Sequence, residues 1–212
     1  YYIHRLMNQR LPDEIIEPTN RLNFNKYIIE HNLVFIKSGM STGKSYGIHN
    51  LPKDSSCVFL SSRQAFANSQ SFELKNDGFV NYMDEETNFY EKRIIVSLES
   101  IYKLNWQEYD YLIIDESESI FNIISSPTLI KGQFQLCLQK FEKLVINCKK
   151  VLVMDAFLSE RSIEAILIIR NKKRRKEFQN YIEEKSIVYY LKNDFVEEKG
   201  YYIENPFPAP KR

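Results

Sequence analysis

Phe35-Ile36-Lys37-Ser38-Gly39-Met40-Ser41-Thr42-Gly43-Lys44-Ser45, read with Leu112-Ile113-Ile114-Asp115-Glu116-Ser117-Glu118 further along the chain, decides the fold. The first stretch is an apolar strand that enters a small-residue loop closing on Gly-Lys-Ser. That pattern wraps backbone N–H groups round phosphates and aims a helix N-terminus at them, with Lys44 adding a point charge. The second is an apolar strand ending on two adjacent carboxylates. One can orient Mg²⁺ through its water shell, and the next can take a proton from an attacking water. Together the halves specify ATP binding and hydrolysis. Ser38, Gly39, Met40, Ser41, Thr42, Gly43, Lys44 and Ser45 are the candidate nucleotide contacts.

The loop departs from the strict pattern G-x-x-x-x-G-K-[ST]. Ser38 stands where the first glycine belongs, with Gly39 one residue late, and Ser41 is a further position at which helicase loops carry glycine. Glycine in such loops permits positive φ or close approach of the backbone to an anion. Serine weakens that provision, while Gly39 and Gly43 keep part of it. The plainer alternative is a strand-turn-helix junction that merely contains Gly-Lys-Ser.

The chain has 212 residues, 43% of them hydrophobic, enough for one good core with appendages. Its 29 basic and 28 acidic residues leave a formal charge of +1, so no global charge marks it for nucleic acid. The three cysteines, Cys57, Cys137 and Cys148, lie in apolar runs and read as buried, reduced thiols of an intracellular protein. No apolar run has the length of a membrane span, so no membrane partner is expected. The run Lys172-Lys173-Arg174-Arg175-Lys176 would suit nuclear import or nucleic acid, but such runs are more often a solvated helix face.

Short apolar runs at Leu33–Ile36, Cys57–Leu60, Ile94–Val96, Tyr111–Ile114 and Val151–Met154 have the composition of strands covered on both faces. Helices are expected over 44–49, 64–69, 134–148 and 162–184. The alternation specifies an open, mostly parallel α/β sheet with ligands at the carboxyl ends of the strands. Residues 1–25 read as a loosely packed leading segment and 26–170 as the ATP-binding domain. Residues 171–212 read as a basic helix and a proline-rich tail of linker type.

Three more segments follow strands: Ser61-Ser62-Arg63, Ser97-Leu98-Glu99-Ser100 and Asp155-Ala156-Phe157-Leu158-Ser159. With the phosphate loop and Asp115-Glu116, the set resembles in order and spacing the N-terminal motor domain of superfamily 2 helicases. It is most similar to the herpesvirus-type replication origin-binding protein family, and the resemblance covers about residues 33–165. It implies a single RecA-like three-layer sandwich of the P-loop NTPase class, a role in DNA replication, ATP and Mg²⁺ as cofactors, and DNA as partner. By the same resemblance Lys44 contacts the β- and γ-phosphates, Ser45 and Asp115 hold Mg²⁺ (Asp115 through water), and Glu116 is the base. Ser61, Ser62, Arg63, Ser97 and Ser100 lie along the nucleic-acid backbone, and Asp155 and Ala156 connect nucleotide state to strand movement. Glu118 reads as a solvated or ion-paired neighbour.

Superfamily 2 enzymes close two motor domains on ATP, so the resemblance implies a second motor domain, in the parent chain or in trans, for which this chain has no room. Two other readings stay open. A non-catalytic P-loop module that binds DNA or a partner fits Ser38 and Ser41. A small-molecule kinase fits the loop but not the Asp-Glu pair at a strand end.

Overall fold

The computed structural model describes residues 12–15, 25–39, 44–85, 87–105, 108–125, 133–185 and 200–205, with the backbone alone for Ile15, Asn25, Ser45, 173–185 and Asn205. Eight strands form one sheet: β1 (Glu14–Ile15), β2 (Leu33–Ser38), β3 (Cys57–Ser61), β4 (Val80–Asn81), β5 (Arg93–Ser97), β6 (Tyr111–Asp115), β7 (Lys150–Asp155) and β8 (Tyr201–Asn205). Their spatial order is β1-β8-β2-β7-β6-β3-β5-β4, and every neighbouring pair is parallel. Parallel neighbours need crossovers, which are supplied chiefly by helices α1 (Asn25–Glu30), α2 (Lys44–Ile48), α3 (Gln64–Leu74), α4 (Ser117–Ile124), α5 (Phe134–Asn147) and α6 (Glu160–Lys185). This is the α/β sandwich of RecA-like type that the sequence implies. The phosphate-loop strand β2 and the acidic strand β6 flank β7.

The five central strands are the five apolar runs of the sequence. β3 and β5 are buried along their whole length, and Phe35, Phe59 and Phe141 are among the largest fully buried side chains. On α5 the buried residues Cys137, Phe141, Leu144 and Val145 recur at helical spacing, and the Phe141 ring meets Phe121 of α4 edge-on at 6.1 Å. The three cysteines are free and buried. Three strands were not expected. β1 and β4 have two residues each, too few for a pattern, and β8 lies in a segment that reads as appendage. β8 packs against β2 because residue 200 is glycine: at φ 65°, a Cβ there would come within 2.6 Å of the Phe35 ring. Prolines 206, 208 and 210, and residues 1–11 and 16–24 of the leading segment, lie outside the described residues.

At the amino ends of the strands, cations close the helix ends. Lys150, first residue of β7, donates to the carbonyls of Ile28, Ile29 and His31 behind α1. Arg170 of α6 donates to the carbonyls of Val145, Ile146 and Cys148 behind α5. Both satisfy carbonyls that a helix C-terminus leaves without partners, and both complement its dipole. Buried Arg93, first residue of β5, donates to the carbonyls of Pro52, Ser55 and Asp77, which pins two loops to the sheet.

Candidate nucleotide site

The carboxyl ends of β2, β7 and β6 bring Ser38, Asp155 and Asp115 to one edge of the sheet, through the registers Lys37↔Asp155 and Asp115↔Met154. Lys44 opens α2 on this edge. Its Nζ donates to the carbonyl of Ser38 at 2.6 Å and of Gly39 at 3.2 Å, so its ammonium lies at the carboxyl end of β2. Met40, Ser41, Thr42, Gly43 and the Ser45 side chain lie outside the described residues.

Asp115 is pushed up to about 6, first by burial, with Glu116 and Asp155 adding repulsion against the pull of Lys44. Burial and the Asp155 charge likewise raise Glu116, again opposed by Lys44. Glu116 sits at φ 55°, ψ 49°, in the left-handed region, a conformation that costs a side-chain-bearing residue about 1–2 kcal/mol. Its N–H donates to Oδ1 of Asp115 at 3.1 Å.

The turn after β7 is bound to the turn after β6. Asp155, 2% exposed, accepts the Glu118 N–H at 2.8 Å on Oδ2 and the Phe157 N–H at 2.7 Å on Oδ1. Glu118 in turn accepts the N–H and the hydroxyl of Ser159, both at 2.9 Å, and faces the Arg161 guanidinium at 3.4 Å. Burial pushes the Glu118 carboxyl up, but hydrogen bonds from Ser162 and Ser159, with the Arg161 charge, hold it below its ordinary value. Glu118 is thus the ion-paired neighbour that its sequence position suggests.

The five residues expected along nucleic acid do not share one surface. Ser61, Ser62, Ser97 and Ser100 are at most 8% exposed, and only Arg63 is open to solvent. The Ser61 hydroxyl donates to the Arg63 carbonyl at 3.0 Å, and that of Ser97 to the Tyr82 hydroxyl at 3.1 Å. These serines stand where β3 and β5 leave the core, so burial turns their side chains inward. In this arrangement Arg63 alone of the five offers a side chain to a phosphate. Sequence gave no sign of the left-handed Glu116 or of the bridge through Asp155, which depend on packing between strands distant in the chain.

An open parallel sheet with a lysine-closed loop and paired carboxylates at the carboxyl ends of its strands defines a domain of the P-loop class. Residues 24–179 match the family described as origin of replication binding protein, and the chain belongs to that family. It is 31% identical over 128 residues to the replication origin-binding protein of Psittacid herpesvirus 1, covering 56% of this chain and 14% of that one. With the replication origin-binding protein of Human herpesvirus 6B it shares 28% over 170 residues, covering 75% and 21%. It also aligns over 193 residues, at 27% identity, with an uncharacterized Acanthamoeba polyphaga mimivirus chain provisionally named a helicase, covering 76% and 18%. The chain therefore spans about a fifth or less of the length of these relatives. Among solved structures, a DEAD box protein from Methanococcus jannaschii overlays with a TM-score of 0.49 at 12% identity, covering 86% of this chain and 47% of that one. Among the described residues no helix is long and apolar enough to cross a membrane.

Proposed function

We propose that this chain is the ATP-binding motor domain of a DNA-dependent ATPase of helicase type acting in DNA replication. The observation that carries the reading is the convergence of Lys44, Asp115 and Glu116 on one edge of the sheet in a chain of the origin-binding family. Lys44, released from the Ser38 and Gly39 carbonyls, takes the β- and γ-phosphates as charge-assisted hydrogen-bond acceptors. Loop residues 38–45 cradle the phosphates with backbone N–H groups. Asp115 and Ser45 suit Mg²⁺, which binds through one or two oxygen donors, waters and substrate phosphate; when bound it neutralises charge on the transferring phosphoryl group.

Glu116 accepts the proton of the attacking water, and its raised proton affinity suits a general base. Arg63 holds a DNA phosphate, a contact that positions the strand without reading its sequence. Asp155 and Ala156 connect the nucleotide edge to strand movement. A second motor domain, in the parent chain or in trans, supplies arginines to the phosphoryl group, a contribution worth roughly 10³–10⁵ in turnover in analogous enzymes. By itself the chain hydrolyses ATP slowly and does not unwind duplex DNA. An intracellular site, the nucleus included, follows from replication origins as targets.

Serine in place of glycine at Ser38 and Ser41 favours one second reading, a non-catalytic module that binds DNA or a partner. Titration with a fluorescent ATP analogue in Mg²⁺, followed by single-turnover hydrolysis, separates the two. The motor reading expects Lys44→Ala to lose one to two decades of affinity, about 1.5–3 kcal/mol. Glu116→Gln should retain nucleotide and abolish turnover. Equal affinity of wild type and Lys44→Ala would remove the phosphate loop from the account, and binding without any turnover in the full-length parent would establish the non-catalytic module.

A further inference from the structure

Two non-glycine residues among those described have positive φ, Phe89 and Glu116. Glu116 is the one at the nucleotide edge, and a glutamate stays in the left-handed region only where its surroundings hold it. Its carbonyl accepts the Ile120 N–H at 3.2 Å, the bond that opens α4, and two further hydrogen bonds flank it. The bond from its own N–H to Asp115 joins adjacent residues and travels with the turn if the turn moves. The bond from the Glu118 N–H to Asp155 spans 37 residues and fixes the start of α4 to β7. The other oxygen of Asp155 is committed to the Phe157 N–H, so the carboxylate cannot turn away without opening its own loop. One buried group thus sets the relation between two turns.

We propose that Asp155 is a positioning residue for Glu116: by accepting the Glu118 and Phe157 N–H groups together, its carboxylate fixes the first turn of α4 and holds Glu116 in the left-handed conformation that sets its side chain at the nucleotide edge. The inference rests on the reading of Glu116 as the base. It goes beyond the connecting role implied by the resemblance, because it acts on the chemical step whether or not a nucleic-acid strand is bound. Asp155 works through backbone, not through contact with substrate. The carboxylate at the end of β7 thus gives one oxygen to each of the two turns.

The test compares Asp155→Ala and Asp155→Asn with wild type. A base displaced by about an ångström loses on the order of 10²-fold in rate, so Asp155→Ala should lose about that in single-turnover hydrolysis while keeping its affinity for Mg²⁺-ATP. Asp155→Asn has only one oxygen to accept with and should fall between. A nucleotide-free readout is NMR of the whole chain. In Asp155→Ala the Glu116 ¹³Cα and ¹³Cβ shifts should leave left-handed values, and the Glu118 amide should exchange faster. Left-handed shifts and wild-type turnover in Asp155→Ala would overturn the proposal, as would affinity and turnover falling together.

Should the Asp155 variants not fold, Glu118→Pro deletes the bridging N–H at a position where the first helical turn tolerates proline, and Glu118→Gln controls for the side chain. Proline should cost more turnover than glutamine, and equal effects would sink the clamp. Normal hydrolysis by Glu116→Gln would break the reading of the base instead, leaving the NMR shifts to judge the clamp by themselves.

Discussion

Strand β6 has an aspartate at either end, and the two sit in opposite surroundings. Asp110, just before the strand, accepts the Lys149 ammonium at 2.7 Å and the Ser56 N–H and hydroxyl at 2.9 and 3.0 Å; these contacts, Lys149 first, hold its carboxyl below the usual range. Asp115, at the other end of the same five-residue strand, is buried among carboxylates with Lys44 as the opposing charge and is pushed up to about 6. The contrast extends along both edges of the sheet. At the amino edge Arg93, Lys150 and Arg170 are matched by carbonyls. At the carboxyl edge Asp115, Glu116 and Asp155 repel one another, and Glu116 is held in a left-handed conformation. One edge is arranged for stability. The other carries charge and strain that stability alone would not select.

Breaking the amino edge should have the largest effect. Arg93→Ala strips three buried or half-buried carbonyls of a charged donor and should cost about 3 kcal/mol or more in urea unfolding, without a comparable loss of nucleotide affinity per folded molecule. A cost under about 1 kcal/mol would show that water replaces the guanidinium readily. At the carboxyl edge the sign should reverse. Asp115→Asn keeps an acceptor for the Glu116 N–H but removes a buried charge. It should raise stability at pH 7 in metal-free buffer by about 2–3 kcal/mol, because burial pushes the Asp115 carboxyl up to about 6 and the folded state must hold it charged. Destabilisation by this variant would mean that Lys44 compensates Asp115 fully.

Asp110→Asn sharpens the same comparison through pH. Its folded value is depressed, so its contribution of about 1 kcal/mol is present above its unfolded value near 4 and is lost as pH falls through the folded one. The stability difference between wild type and Asp110→Asn should therefore shrink below about pH 4. A difference that does not change between pH 7 and pH 3 would assign the effect to packing. The smallest effect is expected from Glu116→Gly, which relieves a left-handed cost of about 1–2 kcal/mol against glycine's entropic cost of about 0.5–1 kcal/mol, and should gain up to about 1 kcal/mol while removing the base. A loss of stability there would show that the turn is not strained.

The sheet was legible where strands are buried on both faces, because runs such as Leu112–Ile114 and Val151–Met154 have no polar residue to confuse their reading. β8 escaped because Tyr201-Tyr202-Ile203-Glu204-Asn205 carries a mixed pattern, and its place depends on Gly200 meeting Phe35 across the sheet. α4 escaped because Glu116, in a left-handed turn, offers no side-chain cap to announce the helix. The loop and the Asp-Glu pair were legible since their chemistry is local in sequence. The inward turn of Ser61, Ser62, Ser97 and Ser100 was not, because a serine after a strand has the same sequence appearance whether its hydroxyl meets solvent or core.

The position of β2 between β7 and β8 has a consequence in time. The strand that leads into the phosphate loop is complete once residue 38 has been synthesised, yet its two neighbours are residues 150–155 and 201–205. At 5–20 residues per second, roughly six to twenty seconds pass before the first partner is made and about eight to thirty before the second. Throughout that interval a hydrophobic strand waits with one or both edges unpaired, which is the state most open to wrong pairing and aggregation. The strand that leads into the phosphate loop therefore gains its second paired edge only after residue 205 has been made, so the edge that carries Lys44, Asp115 and Asp155 is completed by contacts between segments far apart in the chain.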